Sequence, residues 1–411
     1  MLKNRKIFPK IWKEIDSHHI ILLNGARQVG KTTLMKMVRE KLISERNISE
    51  NKILWFDLEQ TDDLEQWKTQ RDALNILPLK NTSGKYYLFI DEFQRSPEIG
   101  STLKVIHDHY PHIKPIITGS ASWYLNIDES MAGRKIVIPI WPLDFEEFID
   151  WENEEKTKRF ISLLQDSGHL PAGLIESVNQ KLVSFLTFGG YPEVNNLDNV
   201  EEKISTLKDL VNSYLTRDIK IWNYKANSLQ VKKLLALLSS LVGNLLEKQK
   251  LSVNSELNRV ALENRLELLQ NTFILHLLHP FSTNKTKELT RNPKVYLIDC
   301  GLRNYLLDNF SILPKTTDFG SLAENFAVTE LLKNISVLEQ VYYWRTRQGQ
   351  EVDIILKRKN QLIPIEVKGG NQVTIPSGLK SFIRNYQPKE AYVLNWSIIK
   401  DEQYQNCQIK F

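Results

Sequence analysis

Eight residues near the start of the chain, Gly25-Ala26-Arg27-Gln28-Val29-Gly30-Lys31-Thr32, have the types and spacing of a loop that cradles phosphate. The glycines let backbone N–H groups curl around the anion, and a helix starting at the loop's end would add its positive pole. Lys31 would reach the β- and γ-phosphates of ATP, the Thr32 hydroxyl would ligate Mg²⁺, and Thr33 would start the helix. Further on, Tyr86-Tyr-Leu-Phe-Ile ends in Asp91 and Glu92. Asp91 is placed to hold the Mg²⁺ shell, and Glu92 to orient and deprotonate an attacking water. A second set lies near the C-terminus: Glu324, Asp353, Glu366 and Lys368. Asp353 and Glu366 could bind Mg²⁺ that polarises a scissile phosphate, with Glu324 beside them and Lys368 steadying the developing charge.

Each set needs particular elements to position it. His19–Leu23 is a short apolar, β-branched run, hence a buried strand, and Thr33–Leu42 has helical periodicity. The loop therefore lies between strand and helix, the context its chemistry requires. Ile53–Asp57 and Pro115–Thr118 supply more buried strands, with helix between them over Ser101–His109. Alternating strand and helix predicts a parallel, doubly wound α/β sheet. Near the C-terminus, a helix over 322–331 carries Glu324 on the side of Val328 and Leu331, an expensive place for an unpaired carboxylate. A turn at Arg347–Gln350 leads into a strand over 351–357, and 363–368 is the next strand. Twelve residues separate Asp353 from Glu366, as a tight hairpin requires. Alternation puts Glu366 and Lys368 on one face, and Glu351 with Asp353 on one face of the preceding strand.

Composition narrows the class. The 411 residues are 42% hydrophobic and 25% charged, as in an ordinary globular protein. The apolar run Thr272–Leu278 is short and broken by His276, so no membrane span is expected. Met1-Leu-Lys-Asn-Arg-Lys has no apolar core behind its charges, so no secretory signal is read there, and a cytoplasmic location is expected. Cys300 and Cys407 form no motif, and the eight histidines show no ligand spacing. The net charge of +5 hides an asymmetry. Residues 1–202 carry 25 Lys and Arg against 30 Asp and Glu, whereas residues 203–411 carry 29 against 19. A basic C-terminal half raises the expectation of a polyanionic partner, DNA or RNA, although a solvated lysine-rich face gives the same count.

An extra strand before the Asp91–Glu92 strand, with a polar strand end at Thr118, resembles the AAA+ class of ATPases. There Thr118 would sense the γ-phosphate; a turn-forming Thr-Gly-Ser is the other reading. Further words make the resemblance specific: Gly25–Thr33, Ile90-Asp-Glu-Phe-Gln94, Thr118-Gly-Ser120, Ala132-Gly-Arg134 within Ser130–Arg134, Phe188-Gly-Gly-Tyr-Pro-Glu193, Tyr214-Leu-Thr-Arg-Asp218 and Pro293–Leu302. Spanning nearly the whole chain, they resemble bacterial and archaeal AAA ATPases fused to an uncharacterised C-terminal domain of restriction-endonuclease-like type. The resemblance implies that Arg134 contacts the γ-phosphate in cis or across a homo-oligomer interface; alternatively it opens a strand and pairs with a surface acid. A helical lid with solvated charge runs such as Glu152–Lys158 is expected beside the nucleotide. Residues 229–282 read as helix, short helix and a last helix over Asn264–Leu275 running into a strand, the shape of a winged helix, which could enter a DNA groove or serve as a spacer. The expected organisation is an ATPase core over 1–149, a lid over 150–225, a winged-helix-like domain over 226–312 and a PD-(D/E)xK nuclease-like α/β domain over 313–411. Two functions are open: an ATP-dependent protein acting on nucleic acid, or a nucleotide-dependent switch or scaffold whose nuclease-derived end binds and does not cut.

Overall fold

A computed structural model describes residues 3–80, 84–120, 131–151, 172–215, 228–283, 291–311, 318–370, 374–396 and 400–411. Ser130, the charge run Glu152–Lys158 and Thr216–Asp218 of the quoted words lie outside these. Contacts divide the chain into two compact units, the first built chiefly from Met1–Leu143 and the second chiefly from residues 144 to 411.

In the first unit, β1 (Ile20–Gly25), β2 (Ile53–Asp57), β3 (Tyr86–Asp91), β4 (Ile113–Ser120) and β5 (Lys135–Ile140) form one parallel sheet in the order β2-β3-β4-β1-β5. Parallel neighbours need crossovers, and helices supply them: α1 (Phe8–Lys13) leads into β1, and α2 (Lys31–Arg46), α3 (Thr61–Gln66), α4 (Gln70–Asn75) and α5 (Ile99–His109) link later strands. Such strands are covered on both faces, which is why β1 and β3 are buried at every position. Leu88, Ile90 and Ile117 pack with Trp67, Ile99, Leu103 and Ile106 into the core of this unit. The doubly wound α/β expectation holds. Helix α5 begins two residues ahead of the predicted start.

Among the described residues of the second unit, a helical stretch over 145–151 comes first, followed by α6 (Ala172–Phe188), α7 (Pro192–Asn195) and α8 (Val200–Ser213). The expected lid spans 150–225; these helices share their core with the rest of the second unit. Leu186 packs with Cys300, Phe319 and Leu322. Asn304 donates its side-chain amide to the carbonyls of Leu186 and Thr187. The Phe188–Glu193 word has a structural cause here. Gly189 is left-handed at φ 77°, and a Cβ there would lie 2.1 Å from the Asp299 carboxylate. That carboxylate accepts from the backbone N–H of Gly190 at 2.7 Å and of Leu302 at 3.0 Å.

Helices α9 (Ser228–Ser240), α10 (Lys248–Ser255) and α11 (Arg259–Asn271) precede an antiparallel pair, β6 (Leu275–Leu278) and β7 (Lys294–Leu297). The last helix stops at Asn271, four residues short of the predicted end, because a turn with Phe273 at φ 58° starts the strand there. Helix α12 (Cys300–Leu306) follows. Then α13 (Phe319–Asn334) leads into an antiparallel meander of β8 (Glu339–Arg345), β9 (Glu351–Arg358) and β10 (Gln361–Val367). Helix α14 (Ser377–Tyr386) returns the chain to β11 (Glu390–Leu394), parallel to β10. The short strands β12 (Asp401–Tyr404) and β13 (Cys407–Lys410) complete a sheet ordered β12-β13-β11-β10-β9-β8. The two-residue turn Lys359–Asn360 fixes the β9–β10 register, with Arg358 opposite Gln361. No helix among the described residues is long and apolar enough to cross a membrane.

Candidate functional site

The carboxyl ends of β1, β3 and β4 lie side by side, and the first chemical set assembles there. Between β1 and α2 the loop turns through Gln28 at φ 58° and Gly30 at φ 92°, backbone that only glycine adopts freely. Lys31 opens α2 with its side chain folded back over the loop. Its ammonium is buried and donates to the carbonyls of Ala26 at 2.7 Å and Gly25 at 3.1 Å. Thr32, next on the helix, donates its hydroxyl to Asp91 Oδ2 at 2.5 Å. Thr118, fully buried on β4, donates to Asp91 Oδ1. Thr118 thus belongs to a strand rather than a turn, and faces the acid that ends β3.

Burial pushes the Asp91 carboxyl above its ordinary value, the Thr118 and Thr32 hydroxyls pull it back, and the neighbouring charge of Glu92 raises it again. A carboxylate and a hydroxyl this close, beside a buried ammonium, are a donor set that suits Mg²⁺ with a phosphate. Glu92 stands at φ 50°, a left-handed conformation unusual for its type. Its N–H points to Asp91 Oδ1 at 3.1 Å and Thr118 Oγ1 at 3.4 Å, and its carboxylate accepts from the Gln94 amide.

Two contributors were given no role by the sequence. Gln94 is buried and holds the Glu92 carboxylate, yet nothing in its spacing marks it. Arg5, far upstream, donates to the Val29 carbonyl at 2.8 Å and the Trp141 carbonyl at 2.9 Å, bracing the loop from behind. Arg134 lies elsewhere. The β1–β5 register sets Lys135 beside Ile20 and Ile140 beside Gly25, so Arg134 is at the opposite end of the sheet from the loop. Five strand steps make that about 16 Å, which rules out a contact in cis. Instead Arg134 forks onto Asp108 at 2.8 and 2.9 Å and holds that carboxyl well below the usual carboxylate range.

The second set also comes together, with a change of character. Asp353 on β9 accepts from the Val367 N–H at 2.9 Å, which ties it to the end of β10. Lys368 donates to Glu366 Oε1 at 2.7 Å, while Glu366 Oε2 is buried with no hydrogen-bond partner. Glu324 on α13 accepts from Tyr296 at 2.6 Å and from Lys294 at 2.9 Å. The Lys294 ammonium also lies 2.5 Å from Glu351 and 3.8 Å from Asp353. Asp353 and Glu366, expected to hold Mg²⁺ with Glu324 alongside, lie in one cluster. The carboxylates converge, but an ammonium sits among them. Among the described residues no three His, Cys, Asp or Glu side chains are placed to share a metal ion. Lys294 and Tyr296 alternate along one face of β7. The only hint in the sequence was that Glu324, on an apolar helix side, required a cation.

Burial, and then the charge of Asp353, push the Glu366 carboxyl up to about 7, with Lys368 opposing. A carboxyl near 4.3 when unfolded and near 7 when folded binds its proton more tightly in the folded state. Its contribution is therefore present at pH 4 and is lost as pH rises through 7. Glu366→Gln should gain stability relative to the parent between pH 5 and pH 8. Equal differences in melting temperature at the two pH values would refute the buried carboxyl as the cause.

Residues 17–149 match the family described as an AAA domain. Residues 179–312 and 319–409 match two families described as domains of unknown function, DUF8612 and DUF4143. An uncharacterized protein of Methanocaldococcus jannaschii is 27% identical over 353 residues, covering 83% of this chain and 73% of that protein. One of Mycobacterium tuberculosis is 24% identical over 394 residues, covering 94% and 78%. Among solved structures, the Walker-type ATPase PABY2304 of Pyrococcus abyssi is 14% identical with a TM-score of 0.48, covering 74% of this chain and 96% of that one. With the parallel sheet and the loop geometry, the AAA match makes the first unit an AAA-type domain of P-loop NTPase fold.

Proposed function

We propose that the chain binds ATP with Mg²⁺ at Gly25–Thr33 and hydrolyses it, and that the second unit holds nucleic acid without cutting it. The convergence of Lys31, Thr32, Asp91, Glu92 and Thr118 at the carboxyl ends of neighbouring strands carries the first half. Thr32 and Asp91 would hold the ion, which when bound neutralises charge on the β- and γ-phosphates. Lys31 supplies a fixed positive charge against the same oxygens. Glu92 takes the proton of the attacking water, and Gln94 sets the direction of its carboxylate. Thr118 touches Asp91 and so registers whether that side chain is engaged. Arg134 would serve a phosphate only from a neighbouring copy, which makes a homo-oligomer the assembly in which it acts. Lys31→Ala and Glu92→Gln test this half.

Three observations support the second half. The helices α9, α10 and α11 followed by the β6–β7 pair resemble a winged helix. The order α13-β8-β9-β10-α14-β11 resembles the core of PD-(D/E)xK nucleases. A pocket of about 410 Å³ is lined by Arg291, Arg345 and Arg347 together with Tyr343 and Asn292, and arginine forks suit phosphate oxygens. Three phosphates neutralised on duplex DNA would weaken binding roughly 40-fold between 50 and 200 mM salt. Arg291→Ala with Arg347→Ala should flatten the salt slope by about two units. Fluorescence anisotropy with duplex DNA, single-stranded DNA and RNA measures this. Binding that ignores salt, or a slope unchanged in the double variant, would remove the pocket from the nucleic-acid surface.

A further inference from the structure

Lys294 is the least exposed charged side chain in the carboxylate cluster, with 2% of it accessible. Its ammonium meets Glu351, Glu324 and Asp353, carboxylates from two different elements, at 2.5, 2.9 and 3.8 Å. The Tyr343 ring closes another side at 5.8 Å, and Tyr296 fixes the same Glu324 oxygen that Lys294 holds. Burial alone would lower the Lys294 pKa. The three carboxylates outweigh it and hold it above the ordinary lysine value, so the group is charged at physiological pH. Just beyond lies Glu366, almost wholly buried, with one oxygen unpartnered. A divalent ion requires ligand oxygens at about 2.1 Å around a common centre. An ammonium within hydrogen-bonding distance of two of these carboxylates occupies that centre, and its charge would repel a second cation.

We propose that the ammonium of Lys294 takes the place of the divalent cation among Glu324, Glu351 and Asp353, so that this domain engages nucleic acid and leaves the phosphodiester intact. The proposal rests on the nuclease-like reading of the second unit. It explains how carboxylates clustered in a buried place persist: cations of the chain itself, Lys294 together with Arg345 on Glu351 and Lys368 on Glu366, offset much of their charge. It also makes Lys294 the residue that decides whether metal enters.

The test uses the full chain without nucleotide, in a Lys31→Ala background that weakens the other site, with Mn²⁺ as the probe. Electron paramagnetic resonance counts bound Mn²⁺, and melting temperature is followed with and without it. In the parent, Mn²⁺ binding should be unchanged by Asp353→Asn. Lys294→Met should bind one further Mn²⁺, at least about tenfold tighter than any binding at this cluster in the parent. The added site should vanish with Asp353→Asn, and Mn²⁺ should raise the variant's melting temperature. Lys294→Gln is the second variant: it also removes the charge, but its amide can still donate to a carboxylate where methionine cannot. Folded variants that take up no more Mn²⁺ than the parent overturn the proposal. If neither variant folds, the parent decides: Asp353-dependent Mn²⁺ binding overturns the proposal, and its absence upholds it. Nucleic-acid binding measured on the same samples reports on the underlying reading separately. A parent that binds neither DNA nor RNA refutes that reading and leaves the Mn²⁺ result standing.

Discussion

Glu92→Gln should bind ATP as tightly as the parent chain and turn it over on the order of 10²- to 10⁴-fold more slowly. The side chain stands at the end of β3 in a left-handed backbone conformation, with its N–H directed at Asp91 and Thr118. Glutamine has the same shape, and its carbonyl oxygen can still accept the amide of Gln94, so the geometry survives. What disappears is the capacity to take a proton from water. Binding is unaffected because Glu92 holds no part of the phosphate cradle. Phosphate release and nucleotide affinity measured side by side check this. Unimpaired turnover would assign the base to another group.

Lys31→Ala should act on the other quantity. The ammonium is buried and tied to two carbonyls of its own loop, so it is already in place before nucleotide arrives. A preset, desolvated charge loses little freedom on binding. Removing one partner of such a charge pair costs about 2–5 kcal/mol, roughly 30- to several-thousand-fold in affinity. In the proposed site Lys31 faces both outer phosphates, so affinity for ADP should fall along with that for ATP. Calorimetric titration with each nucleotide separates the cases. An ADP affinity that stays at the parent's value would place Lys31 on the γ-phosphate alone.

Much of the first unit was legible because of how parallel sheets are buried. Strands covered on both faces must be apolar throughout, and Ile20–Gly25 and Tyr86–Asp91 stand out for that reason. An acid at the end of such a strand is conspicuous, so Asp91 and Glu92 could be read directly. Register cannot be read that way. Arg134 precedes β5, whose first residue Lys135 pairs with Ile20, and only the pairing of strands reveals that it is far from Gly25. Arg5 and Gln94 act through contacts that leave no periodic trace. In the second unit, the tight hairpin fixed the spacing of Asp353 and Glu366, and the expected strands are found. Lys294 lies 30 residues before Glu324, on a strand of a different sheet. Its meeting with the carboxylates depends on tertiary packing, so the nature of the cation could not be inferred from spacing.

The ion cluster around Lys294 also bears on how the second unit responds to its surroundings. A free ion occupies its site according to its concentration, and a chelator can strip it away. A cation carried on a side chain of the protein has an effective concentration set by chain geometry, independent of what the solution contains. The folded second unit should therefore keep this cation in place in excess EDTA, and its stability should not track the supply of divalent metal. In the whole protein, sensitivity to magnesium would then be confined to the nucleotide end.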